Sequence, residues 1–205
     1  MTRRAHVLLA MLPAMALAVI GFGCASGAKQ KAPQAYETVQ PDPHRDAALA
    51  ERHNAEAMAA IQCGDFAKAE TELKKALGAD VMHGPAHNNL GKVYYHQSKL
   101  YVAAWEFQYA AKLMPNLPEP RNNLGLVFES AGKLDEAVGE YDEAMRMAPD
   151  NVQFMGNLAR ARVRRGDRDD SVRELLGRLV LRETRPEWAD WARARLAALS
   201  AKPAE

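Results

Sequence analysis

The sequence predicts an all-α protein, a solenoid of about four helix–turn–helix units with one more helix closing its C-terminal end. Three observations predict it. Turn-forming positions recur at one spacing, with Gly64, Ser98, Gly132 and Gly166 each 34 residues after the last. A fixed period of that size marks stacked units, none of which buries its apolar face alone. Within the units, Leu90 with Tyr94 and Leu124 with Phe128 stand four apart, on one face of a helix. Aromatic residues are only 7% of the 205 while alanine is abundant, which favours helices packed on small side chains over sandwiches or barrels.

The first segment reads as an address. Met1-Thr2-Arg3-Arg4 is basic and Val7 to Phe22 is apolar, the pattern of a secretory signal. Pro13 and many alanines make it a poor membrane span. Its close, Gly21-Phe22-Gly23-Cys24-Ala25, resembles the bacterial lipobox, in which a small residue precedes a cysteine that receives a diacylglycerol and becomes the new N-terminus. Gly23 and Cys24 fit; Gly21 and Phe22 depart, because the family prefers leucine and then a small residue there. The resemblance implies a signal peptide over residues 1–23 and lipidation at Cys24. With no Asp after the cysteine, it also implies sorting to an outer membrane, facing the periplasm. Ordinary cleavage after Ala28 and an uncleaved anchor are the alternatives. Residues 24–49 then read as a lipidated N-terminus and flexible tether, since Pro41-Asp42-Pro43 blocks both helix and strand.

Four units follow, over residues 50–83, 84–117, 118–151 and 152–185. The third carries Asn123-Leu124-Gly125, Phe128, Gly132, Ala137, Tyr141, Ala144 and Pro149; the second carries Asn89-Leu90-Gly91, Tyr94, Ser98, Ala103, Phe107, Ala110 and Pro115. These residues resemble the tetratricopeptide repeat family nearly one for one, which implies a right-handed superhelical solenoid with first helices lining a concave face. The outer units are degenerate, as expected of caps with one neighbour: Glu56 and Val81 depart from the pattern in the first, Ser171 and Arg178 in the last. Small residues at Gly91, Ala103, Gly125 and Ala137 let paired helices approach, and Pro115 and Pro149 stop the second helices. Residues 186–205 form the capping helix and tail. Thr184 to Glu187 resembles a capping box, and Trp188 and Trp191 cover the end of the fourth unit or, alternatively, form a partner site.

Little in the chain suggests catalysis. The 48% hydrophobic and 26% charged residues allow a packed core, and a net charge of +1 predicts no nucleic-acid partner. Two cysteines exclude a disulfide-dense scaffold and a four-cysteine zinc site. Cys63 reads as a half-buried packing thiol, or as a disulfide partner if Cys24 is not lipidated. His83 and His87 are separated by Gly84-Pro85, which breaks the helix a metal pair needs, so both read as loop histidines. Asp135-Glu136 and Asp169-Asp170 read as helix starts. The expectation is no enzyme, no cofactor and no metal.

The candidate binding residues lie along the first helices. Asn89, Asn123 and Asn157 are 34 apart, at one point of each unit, and an amide pairs with a peptide backbone whatever its side chains. This row resembles the asparagine ladder with which some members of the family hold extended peptides; its other reading is ordinary support of the repeat. Asn88, Asn122, Lys92, Tyr95, His96, Glu129, Arg160 and Arg164 reach the same groove. A lysine–asparagine clamp for a terminal carboxylate, used elsewhere in the family, is not met in the first unit, where Asn54 and Met58 stand at its positions. The expected function is a membrane-tethered scaffold for a protein or peptide partner in the bacterial cell envelope, resembling pilus-assembly pilotins or cell-wall-hydrolase adaptors. The alternative is a membrane-surface protein whose arginine-rich C-terminal end, Arg160 to Arg195, binds anionic lipid or polymer. The sequence leaves the oligomeric state open.

Overall fold

A computed structural model describes residues 45–200, and the signal, Cys24 and most of the tether lie outside them. Within the described residues the chain is all helical: α1 (Ala47–Gln62), α2 (Phe66–Ala79), α3 (Gly84–His96), α4 (Leu100–Leu113), α5 (Glu119–Ser130), α6 (Leu134–Met147), α7 (Val152–Arg165), α8 (Asp170–Arg182) and α9 (Pro186–Ser200). Helices pair as α1 with α2, α3 with α4, α5 with α6 and α7 with α8. Each second helix packs on the first helix of the next unit, and first helices touch one another. The last second helix, α8, packs on α9.

Local chemistry sets the boundaries. Asp46 accepts from the Leu49 amide at 2.9 Å, so α1 begins at Ala47, inside the segment the sequence assigns to the tether. Asp65, Asn151 and Asp169 cap α2, α7 and α8 in the same way, and Asp135 with Glu136 occupies the first turn of α6. Just before α9 it is Glu183, not the expected Thr184, whose side chain accepts a backbone hydrogen bond, from the Arg185 amide at 3.0 Å, one residue ahead of the helix start at Pro186.

The repeated turn is one structure. Asp65, Lys99, Lys133 and Asp167 each donate a backbone N–H to a carbonyl five residues back, closing the first helix of each unit around a left-handed residue. That residue is Gly64 at φ 74°, Gly132 at 75° and Gly166 at 99°, but Ser98 at φ 60°. A Cβ in this region costs roughly 1–2 kcal/mol, partly offset by glycine's larger unfolded-state entropy. Ser98→Gly is therefore expected to raise stability by up to about 1 kcal/mol, read from the denaturant midpoint.

Packing follows the small residues. Ala103, Ala110, Ala137 and Ala144 are wholly buried. Gly91 lies under the Phe107 ring and Gly125 under the Tyr141 ring, where an added Cβ would stand 2.7 Å and 2.6 Å from ring carbons. Two apolar clusters result, one from Ala50 to Val127, spanning the first two units and α5 of the third, and one from Ala137 to Ala192.

Two further expectations are corrected. His87 is no loop histidine: it is buried on α3, with Nδ1 2.6 Å from Glu106 and Nε2 2.9 Å from the Val81 carbonyl. Gly84-Pro85 opens α3 rather than separating the two histidines, because proline suits a first turn; His83 caps that helix through the Ala86 amide. Cys63 is exposed, not half-buried, because it sits on the rim of the turn.

Candidate functional site

The asparagines pair with each other. Asn89 Nδ2 donates to Asn54 Oδ1 at 2.9 Å, Asn123 Nδ2 to Asn88 Oδ1 at 2.9 Å, and Asn157 Nδ2 to Asn122 Oδ1 at 2.8 Å, each across 35 residues. Asn54, Asn88, Asn89, Asn122 and Asn157 are buried, and only Asn123 is half-buried. The reading of Asn89 and Asn157 as a ladder for a peptide backbone is therefore corrected: their amides tie one first helix to the next. The signal is a doublet. Asn88-Asn89 and Asn122-Asn123 supply an acceptor and a donor in the two middle units. Asn54 is followed by Ala55, and Asn157 is preceded by Gly156, because the end units each need only one partner.

Glu129 is likewise a joint, buried at 5% side-chain exposure. Its carboxylate accepts from Tyr141 Oη at 2.9 Å, from both nitrogens of the Arg160 fork at 2.8 and 2.7 Å, and from Arg164 at 2.8 Å. Burial pushes this carboxyl up, but the hydrogen bonds from Arg160 and Arg164 outweigh it and hold it below the ordinary glutamate range. Burial beside Glu129 drives the Tyr141 phenol far above its usual range. The set joins α5, α6 and α7: Glu129 is engaged within the fold, Arg160 is bound to it through two nitrogens, and Arg164 gives it one hydrogen bond while 51% of its side chain stays in solvent.

What remains open to a ligand is a recess of about 180 Å³ between α3 and α5, lined by Lys92, Tyr95, His96, Phe107, Asn123 and Leu126. Lys92 is half-buried there; burial lowers its pKa, while the charge of Glu119 acts weakly the other way. Among the described residues its ammonium has one hydrogen bond, to Asn89 Oδ1 at 3.3 Å, and no ion pair. Tyr95 is held by Ser130 at 2.9 Å and His96 stacks on Phe66 at 4.7 Å, so two aromatic side chains lining the recess of the half-buried Lys92 are fixed in place. Phe107 and Leu126, which the sequence reading missed, form the floor. A Phe from a second helix marks such a floor only once its unit's Gly91 is seen to admit the ring.

A second recess, about 230 Å³, lies at the C-terminal end between Arg160, Glu187, Trp188 and Trp191. The guanidinium groups of Arg160 and Arg185 lie 5.4 and 5.3 Å from the Trp188 ring centroid, and Trp188 stands beside Gly156 of α7. Most arginines at this end already have carboxylate partners: Arg162 with Asp167 and Asp169, Arg165 with Asp135 and Asp167, Arg173 with Asp170, Arg182 with Asp150, Arg185 with Glu183 and Arg193 with Asp190. The expected basic end is thus largely neutralised.

One set of metal-type ligands comes together among the described residues, His53, Glu56 and Glu72, with ligand atoms within 4.8 Å. Glu72 there already bonds His53 Nδ1 and Lys75 Nζ, both at 2.8 Å, so an ammonium supplies the positive charge an ion would bring.

Comparison with known proteins agrees on the fold. Tetratricopeptide repeat models match residues 54–118 and residues 129–202. The chain is similar to PilF of Pseudomonas aeruginosa, with 21% identity, TM-score 0.67, 77% of this chain and 70% of that one covered. It is also similar to YrrB, described as having an unusual peptide-binding site, with 21% identity, TM-score 0.61, and 73% and 76% covered. A third relative is the first repeat domain of Spaghetti (RPAP3), solved with the HSP90 peptide SRMEEVD, with 19% identity, TM-score 0.58, and 60% and 98% covered. No curated protein matches the chain.

Proposed function

Starting from a chain built of tetratricopeptide repeats, we propose that it is a membrane-tethered interaction scaffold. It holds a partner segment along its first helices and receives a carboxylate of that segment on Lys92. The observation that carries this reading is the recess between α3 and α5, where a half-buried ammonium without a carboxylate partner is framed by Tyr95, His96 and Asn123. An isolated ammonium taken from water is a cost to the fold, and an incoming carboxylate removes it. Asn123 Nδ2 has a second N–H to offer beyond the one given to Asn88. Apolar walls around one charge suit a short segment that is fixed in register by that charge.

One structure of similar fold was solved with a bound peptide and another is described as having an unusual peptide-binding site, which supports a peptide partner for this chain. The near-neutral pairing of the arginine-rich end favours the groove over lipid or polymer binding there. The lipobox-like Gly23-Cys24 supports a lipid-anchored protein of the bacterial cell envelope, on an outer membrane and facing the periplasm, with work in pilus assembly or as an adaptor for cell-wall enzymes. Two acyl chains give stable anchoring, at about 0.8 kcal/mol per buried methylene.

Two measurements test the two halves of this reading. Cys24→Ser is expected to move the chain from the membrane to the soluble envelope fraction or leave it unprocessed; a free, unmodified Cys24 in the mass spectrum of the wild type overturns the anchor. A photo-crosslinking residue at Tyr95 is expected to trap one partner in native membranes, lost on Lys92→Met. The same adduct from a probe at Gln108, on α4, would place binding outside the groove.

A further inference from the structure

The large exposed hydrophobic residues of helices are concentrated on α4. Tyr101 is 85% exposed, Trp105 62% and Val102 39%, and Tyr109 continues the row against His87 and Met82. The repeat itself shows that the fold does not need them. Where unit two has Tyr101, the other units have Ala67, Asp135 and Asp169; where it has Val102 they have Lys68, Glu136 and Asp170; where it has Trp105 they have Thr71, Gly139 and Arg173. Equivalent positions in three other units are charged or small, so this aromatic face has a purpose outside its own unit.

The flanking second helices say what covers it. At matching positions α2 carries Lys68 and Lys74 where α6 carries Glu136 and Asp142, with Val102 and Gln108 of α4 between them. All four charged side chains are exposed; Lys74, Glu136 and Asp142 lie in solvent-exposed local pairs with Glu70, Lys133 and Arg146, which are weak in water and can be exchanged for partners across an interface. The α2 segment carries a net charge of +1, α6 one of −4, and α4 none. The outer face therefore runs basic, aromatic, acidic across the second helices of three consecutive units. An anionic bilayer would meet the acidic α6 beside the patch and be repelled. A second copy of this chain is complementary in one arrangement only. A two-fold axis along α4 sets aromatic on aromatic and basic α2 on acidic α6, whereas an axis across α4 sets like charges together.

From this we infer that two copies of the chain associate through the outer face of α4, about a two-fold axis lying along that helix, with Lys68 and Lys74 of each copy opposite Glu136 and Asp142 of the other. The groove on the first helices is left open, so the inference does not depend on the partner proposed for it. A patch on a convex surface is small, and the dimer dissociates on dilution through the micromolar range.

The test is sedimentation velocity of the full chain over a dilution series, in one fixed detergent so that the N-terminal apolar segment is common to all variants. The wild type is expected to pass from dimer to monomer. Tyr101→Ser with Trp105→Ser is expected to give monomer throughout with an unchanged circular dichroism spectrum. Lys68→Glu with Lys74→Glu is expected to weaken the dimer roughly tenfold or more, and adding Glu136→Lys and Asp142→Lys to restore it. Restoration is a readout that a general loss of stability does not produce. A wild type that stays monomeric at all concentrations, a dimer that survives the serine variants, or a charge swap that is not restored would each overturn the inference. Trp105-dependent sedimentation of a monomer with anionic vesicles would do the same, and would give the patch to lipid.

Discussion

Replacing Glu129 by alanine is expected to destabilise the chain by about 2 kcal/mol or more. Removing one side of a buried ion pair costs about 3–5 kcal/mol because the other charge is stranded. Here Arg160 keeps 26% of its side chain in water and Arg164 51%, which lowers the figure towards 2. The wholly buried Tyr141 hydroxyl loses its acceptor as well. Glu129→Gln keeps the shape and an acceptor and is expected to lose less. The pH dependence has a definite sign. Glu129 is held below the ordinary glutamate range in the fold, so its contribution is present above about pH 4.3, the unfolded value, and is lost as pH falls through the lower folded one. Urea midpoints of wild type and Glu129→Gln should therefore converge in acid. A constant gap down to acid pH would mean that the carboxylate is not held by the arginines.

The second large effect is a reversal of sign at Gly125. In the native background, a Cβ at Gly125 would stand 2.6 Å from two carbons of the Tyr141 ring, and that ring has no exposure through which to retreat. Gly125→Ala is expected to cost about 1–3 kcal/mol as an overpacked contact. Tyr141→Ala is expected to cost about 3–5 kcal/mol through the cavity it leaves. With the ring gone, Gly125→Ala fills part of that space and gains the helix propensity of alanine over glycine, about 0.8–1 kcal/mol. The same substitution then stabilises. Four melting curves, read as a double-mutant cycle, decide it; an equal loss in both backgrounds would mean that Gly125 and Tyr141 do not touch.

The fold was legible because its signals are local and repeated. Gly64, Gly132 and Gly166 mark turns by backbone conformation alone, Pro115 and Pro149 mark helix ends, and Ala137 and Gly125 mark close approach. The groove was only partly legible. Asn89, Asn123 and Asn157 were visible as a row, but whether an amide faces solvent or its neighbour depends on a rotation within one helix, and the 34-residue spacing is common to both uses. The spacing of 35 between partners, and the single asparagines at the two ends, carried the answer. Glu129 with Arg160 and Arg164 looked like a charged groove, because a carboxylate and two guanidinium groups on neighbouring first helices read alike whether they await a ligand or hold each other. Lys92 was named among many, and only its burial sets it apart. His87 was misread because Gly84-Pro85 can end one helix or begin another.

Lys92 carries the central claim, and the most direct measurement compares its effects on stability and on binding. A half-buried ammonium with no ion pair does little for the fold, so Lys92→Met should leave the melting temperature unchanged or raise it. It should also weaken the segment trapped from Tyr95 by roughly tenfold to a hundredfold, the worth of one charge-assisted contact at about 1.5–3 kcal/mol. Asn157→Ala should do the reverse, lowering the melting temperature by about 1–3 kcal/mol of stability, with affinity nearly unchanged. Wild-type affinity in Lys92→Met, together with lost affinity in a stably folded Asn157→Ala, would contradict the account and return the asparagines to the role of ligands.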